Sequence, residues 1–233
     1  MTLPVTRRMA FLGLLALLAA CGDDEPAQRK AFATFLQQRI LDKPGIRVPT
    51  PTPDEAKSWG DYTKHYAVIT SFNSELSQRV SKPMQDAAQR GVVRSIDELL
   101  TRRADLVDIR NGLKELGAEL DRQFATAQAA YAGLVQPADL KIVFDAAYER
   151  DVAGPVRTFR ELLPFEDAAL AAALDVGDFL TRHRSAVQIR GTLVQMADPA
   201  LLRDFNTRVA TMREAASKAQ TAQQRWQAMI RGT

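Results

Sequence analysis

The chain has 233 residues, 46% hydrophobic and 25% charged, with 31 Lys and Arg against 28 Asp and Glu and a net charge of +3. So even a balance carries no electrostatic footprint for nucleic acid, and one cysteine excludes an intramolecular disulfide framework. Aromatic residues make up 7% of the chain and Ala, Leu and Arg are abundant, which favours helices over a β-sandwich.

Arg7 and Arg8 precede an unbroken apolar or small run from Met9 to Ala20. The run is shorter than the roughly 20 residues a spanning helix needs, and it fits the apolar core of an export signal. Leu18-Ala19-Ala20 then meets Cys21, the chain's one cysteine. Leu-Ala-Ala-Cys resembles the lipobox of bacterial lipoproteins. That resemblance implies cleavage before Cys21, a diacylglyceryl group on its sulfur and acylation of the new amino end. The alternatives are an ordinary secretory signal or a short membrane anchor. Loss of residues 1–20 leaves 213 residues, and loss of Arg7 and Arg8 lowers the net charge from +3 to +1. The expected organisation is a signal over 1–20, a polar tether over 21–26 and one helical domain over 27–233.

Gly22 to Pro26 reaches at most roughly 20 Å, so the folded part sits close to the membrane. Gly22 after the cysteine resembles the enterobacterial signature for outer-membrane sorting, although Asp23 and Asp24 weaken it. Gln28 to Leu41 reads as a helix, with Phe32, Phe35, Leu36 and Ile40 on one face. Pro44-Gly45 ends it. The alternate prolines Pro49, Pro51 and Pro53 dictate an extended link, or a Pro-rich recognition peptide. A long helix follows, capped by Thr52 or Asp54. Its stripe is Trp59, Tyr62, Tyr66, Ile69, Leu76, Val80 and Met84, with Asn73 on the same line. Pro83 kinks it and Gly91 ends it. Trp59, Tyr62, Tyr66 and Phe72 fill a core or line a ligand groove.

Ser95 to Glu98 resembles a capping box and opens a helix with the seam Leu113, Leu116, Leu120, Phe124, Ala127, Tyr131 and Leu134. Pro137 starts the next helix, which Gly154-Pro155 breaks or bends and which continues to Pro164. Phe165 to Thr181 is a further helical stretch. Residues 186–196 suggest a small hairpin or an irregular loop around Gly191. Asp198-Pro199 opens the last helix, whose alanines allow a close helix approach.

No Gly-x-Ser-x-Gly, His-Glu-x-x-His or Gly-rich phosphate loop is present. His65 and His183 have no ligand-spaced neighbours and read as structural. Arg182-His183-Arg184, with Arg190 nearby, is the densest basic spot, and a helix C-terminus favours such cations.

Gln28-Arg29-Lys30-Ala31-Phe32, Pro49-Thr50-Pro51-Thr52, Tyr66-Ala67-Val68-Ile69, Val143-Phe144-Asp145-Ala146-Ala147-Tyr148 and Val176-Gly177-Asp178-Phe179 resemble the YiaF-like lipoproteins. The resemblance supplies no activity, and no functional residue carries over except the acylated Cys21. The fold expected is an elongated all-α helical bundle of about five or six helices with a small hairpin near 186–196. The expected function is that of a non-enzymatic, lipid-anchored envelope lipoprotein. It faces the periplasm, more at the outer than the inner membrane, and presents a helical surface to another envelope component. The alternative is a small-ligand or lipid binder with a groove between long helices near Trp59 and Tyr66. Beyond Cys21, no catalytic, cofactor or metal residue is assigned, and the partners expected are the membrane, through the anchor at Cys21, and an envelope protein, with no nucleic acid.

Overall fold

The structure is a computed structural model that describes residues 24–91, 93–190 and 193–233. Cys21 and the expected signal lie outside the described residues, as does Gly191. Helix α1 runs over Glu25–Phe35 and passes directly into a π-helical turn, Leu36–Leu41. It starts within the expected tether, because Pro26 suits a first helical turn, where its missing N–H costs nothing. Phe32, Phe35, Leu36 and Ile40 are all buried, as their spacing predicted.

Helix α2, Pro53–Ser58, is held by a complete capping box. Thr52 Oγ1 accepts the Glu55 N–H at 3.1 Å, and Glu55 Oε2 accepts the Thr52 N–H at 2.7 Å. The single long helix expected from here is turned at Gly60, whose φ of 55° is open to glycine. A Cβ there would stand 2.1 Å from Gln28 Oε1, so α1 packs against the corner itself. Helix α3, Thr63–Leu76, follows, then a π turn, Ser77–Ser81, then α4, Lys82–Gly91. Pro83 falls in the first turn of α4, just after that π turn.

Helix α5, Ile96–Thr101, is capped by Ser95 Oγ accepting the Glu98 N–H at 3.1 Å. Helix α6 is Arg103–Ala132 and α7 is Ala138–Tyr148. A π turn, Glu149–Ala153, then joins α7 to α8, Gly154–Arg182. Gly154-Pro155 therefore modifies the helix without breaking it. Pro164 was expected to end a helix, but α8 runs through it. The proline sacrifices one backbone bond, and the contacts of α8 with α6 and α9 along its length outweigh that loss. Strands β1, Val187–Arg190, and β2, Leu193–Met196, pair antiparallel with Val187 opposite Met196. Helix α9 fills Pro199–Arg231, with Asp198 Oδ1 accepting the Ala200 N–H at 2.8 Å.

Two apolar clusters hold these elements. The first joins Phe32, Leu36, Ile40, Trp59, Tyr66, Ile69, Leu120 and Phe144. The second joins Leu99, Leu106, Ile109, Val176, Phe179, Leu180 and Phe205. Helices α6 and α8 feed both clusters, and α8 alone is about 43 Å long at 1.5 Å per residue. The molecule is thus an all-α bundle with a two-stranded hairpin packed on the second cluster through Val187, Val194 and Met196.

Candidate functional site

Between α4, α5, α6, α8 and α9 the second cluster is incompletely filled. A cavity of about 830 Å³ opens there, inside the range of roughly 300–1,000 Å³ typical of ligand sites. Its apolar wall includes Met84, Leu99, Leu106, Ile109, Leu170 and Val209. Small side chains make the room: Ala169 and Ala173 on α8 line it together with Ala210 and Ala216 on α9. The lining passes from buried Leu99 and Leu106 to exposed Arg94, Asn206 and Arg213, so the cavity meets solvent at a rim that carries two guanidinium groups. Glu166 and Gln223 add one polar spot to the lining, and Gln223 Nε2 donates to Glu166 Oε1 at 2.6 Å. Burial pushes the Glu166 carboxyl above the usual carboxylate range, against the opposing effect of the Gln223 hydrogen bond.

A second unusual group is Asp151, fully buried in the π turn between α7 and α8. Its Oδ1 accepts the Arg47 N–H at 3.2 Å, while Oδ2 has no hydrogen-bond partner. Burial pushes this carboxyl up to about 7, and the Arg47 N–H and the Arg150 charge only partly offset the effect. Asn73 Nδ2 donates to the Asp151 carbonyl at 3.2 Å and to the Ile69 carbonyl at 3.0 Å. Next to it, the Arg150 guanidinium donates to the carbonyls of Leu41, Gly45 and Lys43. This knot clamps the 41–47 segment onto the bundle. Asp151 does not line the cavity. Sealed among core residues, it has structural work and no route to a substrate.

The residues singled out in the sequence separate cleanly. Trp59, Tyr62, Tyr66 and Phe72 are buried, and rings of Phe32 and Phe35 pack against the first three. They are core, and the groove considered near Trp59 and Tyr66 is closed by them. His65 stands edge-on to Tyr62 and Phe144, its Nδ1 lies 2.9 Å from Gln136 Nε2, and burial lowers its pKa. It ties the 133–137 loop to α3. His183 rests against Phe179 at the end of α8, and Arg182 Nε donates to the Asp178 carbonyl at 3.3 Å there. The two histidines lie in different clusters. Among the described residues no group of His, Cys, Asp and Glu is arranged for a metal, and no helix is long and apolar enough to cross a membrane.

Sequence reasoning missed both the cavity and Asp151. Asp151 carried a signal, for it falls on the apolar line through Phe144 and Ala147. The cavity carried a weaker one, because alanines that permit close helix contact also leave space when the facing residues are small.

The family described as "Protein of unknown function (DUF3053)" matches residues 9–227. "Uncharacterized protein YiaF" of Escherichia coli strain K12 is 26% identical over 228 residues, 97% of this chain and 94% of that protein. The YiaF proteins of Escherichia coli O157:H7 and Shigella flexneri are likewise 26% identical over 97% of this chain and 94% of their own length. No solved structure matches.

Proposed function

The chain belongs to the DUF3053 family, and from that premise we propose a lipid-anchored, non-enzymatic envelope lipoprotein that binds a single-chain anionic amphiphile. The apolar cavity with its arginine rim carries this reading. Its walls suit an acyl chain, and the guanidinium groups of Arg94 and Arg213 suit a carboxylate or phosphate head. Anchoring at Cys21 faces the domain to the periplasm, at the outer membrane by the Gly22 signature. The lone cysteine and the Leu-Ala-Ala-Cys spacing support that part.

The reading placed first from sequence, display of a helical surface to another envelope component, keeps one observation in its favour. The bundle is solid around Trp59 and Tyr66. Pure display gives such a cavity no role, whereas a ligand that covers its apolar wall removes that surface from water, which is favourable. Titration of the full chain with a fluorescent fatty acid tests the binding reading. Saturable binding that lysophospholipid displaces, and that Arg94→Ala with Arg213→Ala weakens, is expected. Absence of saturable binding by the folded protein refutes it.

A further inference from the structure

Two large apolar side chains stand out from the surface. Val135 is 90% exposed and Ile142 is 72% exposed, the highest values among the described large hydrophobics. They are not scattered singly. Ala138, Ile142 and Ala146 are exposed along α7 at steps of four, and Val135 is exposed in the loop that leads into that helix. The opposite side of α7 buries Leu140, Phe144 and Ala147, so α7 carries apolar residues on its inner face and along one outer line.

The position of this stripe relative to the chain's entry is fixed by three contacts. Tyr62 OH donates to Glu25 Oε1, on the first residue of α1. Arg29 Nη1 lies 3.2 Å from Asp139 Oδ1, in the first turn of α7. Gln136 Nε2 lies 2.9 Å from His65 Nδ1. The start of α1, the 133–137 loop and the start of α7 therefore lie together, beside the point where the chain enters the described fold. Cys21 is four residues before Glu25, at most about 14 Å of chain. Asp139 is reached from Glu25 by one helical turn, about 6 Å, and one ion pair.

We infer that the Val135–Ala138–Ile142–Ala146 stripe is a membrane-docking face that lies against the phospholipid surface carrying the anchor. The inference rests on the Cys21 anchor of the preceding reading for its geometry and adds a second contact to it. An acyl anchor on a short tether holds the start of α1 close to lipid, and the segments packed beside that start present the most exposed apolar side chains. Charge does not oppose the contact, because the acidic residues beside the stripe are paired, Asp139 with Arg29 and Asp145 with Lys141 at 2.9 Å. The apolar side chains would enter the headgroup boundary while these pairs stay in water. Two attachments fix the orientation of the bundle, which a lipid tether alone does not. The cavity, built by the second cluster, is then held at a set height above the bilayer.

The test places an environment-sensitive fluorophore at Val135→Cys, Ile142→Cys and, as a control in the hairpin, Gln188→Cys. A thioether-linked Cys21 does not react with the label. The full-length protein is reconstituted in phosphatidylethanolamine–phosphatidylglycerol vesicles that contain brominated lipid, and radiolabelled palmitate reports the anchor. Labels at 135 and 142 should shift to the blue and be quenched at least about twofold more than the label at 188, as for side chains in the headgroup boundary. In a Cys21→Ser background with excess vesicles, the quenching should persist, and Val135→Asp or Ile142→Asp should weaken vesicle binding about tenfold each. Labels at 135 and 142 as exposed as the one at 188, on protein whose palmitate label is intact, would overturn the docking face. So would shielding already present without vesicles together with a doubled mass, which would assign the stripe to a second copy. Missing palmitate label with quenching retained in the Cys21→Ser chain would sink the anchor and uphold the face. Both aspartate variants sit on exposed positions, and circular dichroism confirms that they fold.

Discussion

Gln223 on α9 donates a 2.6 Å hydrogen bond to Oε1 of Glu166 on α8, and both side chains line the cavity. The pair ties α8 to α9 within the cavity lining. It is also the spot where the cavity's charge can change, since burial holds the Glu166 carboxyl partly protonated at a higher pH than an exposed one.

That carboxyl sets an expected pH dependence. The raised pKa means that Glu166 becomes negative as pH rises above the ordinary carboxylate range, and the new charge repels an anionic ligand. Affinity for a fatty acid should therefore fall as pH rises through that window. Glu166→Gln should flatten the profile and tighten binding at neutral pH by about tenfold or less. The fluorescent fatty acid titration, repeated between acid and neutral pH, measures it.

Asp151 gives a second pH effect, on stability. Its folded pKa of about 7 lies above the ordinary value, so the folded state holds a proton that the unfolded chain has released. The contribution is fully present below the unfolded pKa and is lost as pH rises through about 7. Stability should fall over that interval by roughly 2–4 kcal/mol from this group. Asp151→Asn keeps an oxygen for the Arg47 N–H and cannot ionise. Urea unfolding of the variant should show a flatter pH profile and greater stability than wild type near pH 8.

Gly45 and Gly232 close the C-terminal end of α9 onto the 42–47 segment. Their φ angles are 72° and 77°, and the Ile46 N–H donates to the Ile230 carbonyl at 3.1 Å. A Cβ on Gly45 would stand 2.2 Å from that same oxygen. Gly45→Ala should therefore cost about 2 kcal/mol or more, from the left-handed backbone and the clash together. Hydrogen exchange should show the last turn of α9 opening first.

The core makes a simpler prediction. Leu120 and Leu106 are fully buried, one in each cluster. Truncation of either to Ala should cost roughly 2–5 kcal/mol in urea unfolding. Phe124 is half-buried beneath the Arg160 guanidinium, 5.3 Å from its ring, so Phe124→Ala should fall at the low end of that range or below.

Most helical seams were legible because steps of three and four at Phe32, Ile69, Leu120 and Phe205 have one physical cause, a single buried face. The hairpin was legible from β-branched alternation around Gly191. The π turns were not. An inserted residue after Phe35, Leu76 or Tyr148 keeps the chain helical and shifts the buried face without changing composition. Pro164 misled in the opposite direction, since a proline's local cost was overruled by packing that involves residues far away in sequence. The cavity was invisible for a related reason. Whether Ala173 and Ala210 meet or leave a gap is decided by the separation of α8, α9 and α4, which no local pattern encodes. The buried Asp151 stood on an apolar line and was hidden by the abundance of surface carboxylates around it.

Native mass spectrometry of the full chain, extracted from membranes in mild detergent, tests the binding account most directly. The account predicts one non-covalent amphiphile per chain in addition to the acyl groups on Cys21. That adduct should be exchangeable for added palmitate and lost when Ala173→Trp and Ala210→Trp fill the cavity in a protein that stays helical. A wild-type chain that carries no adduct and takes up none from excess palmitate would contradict it.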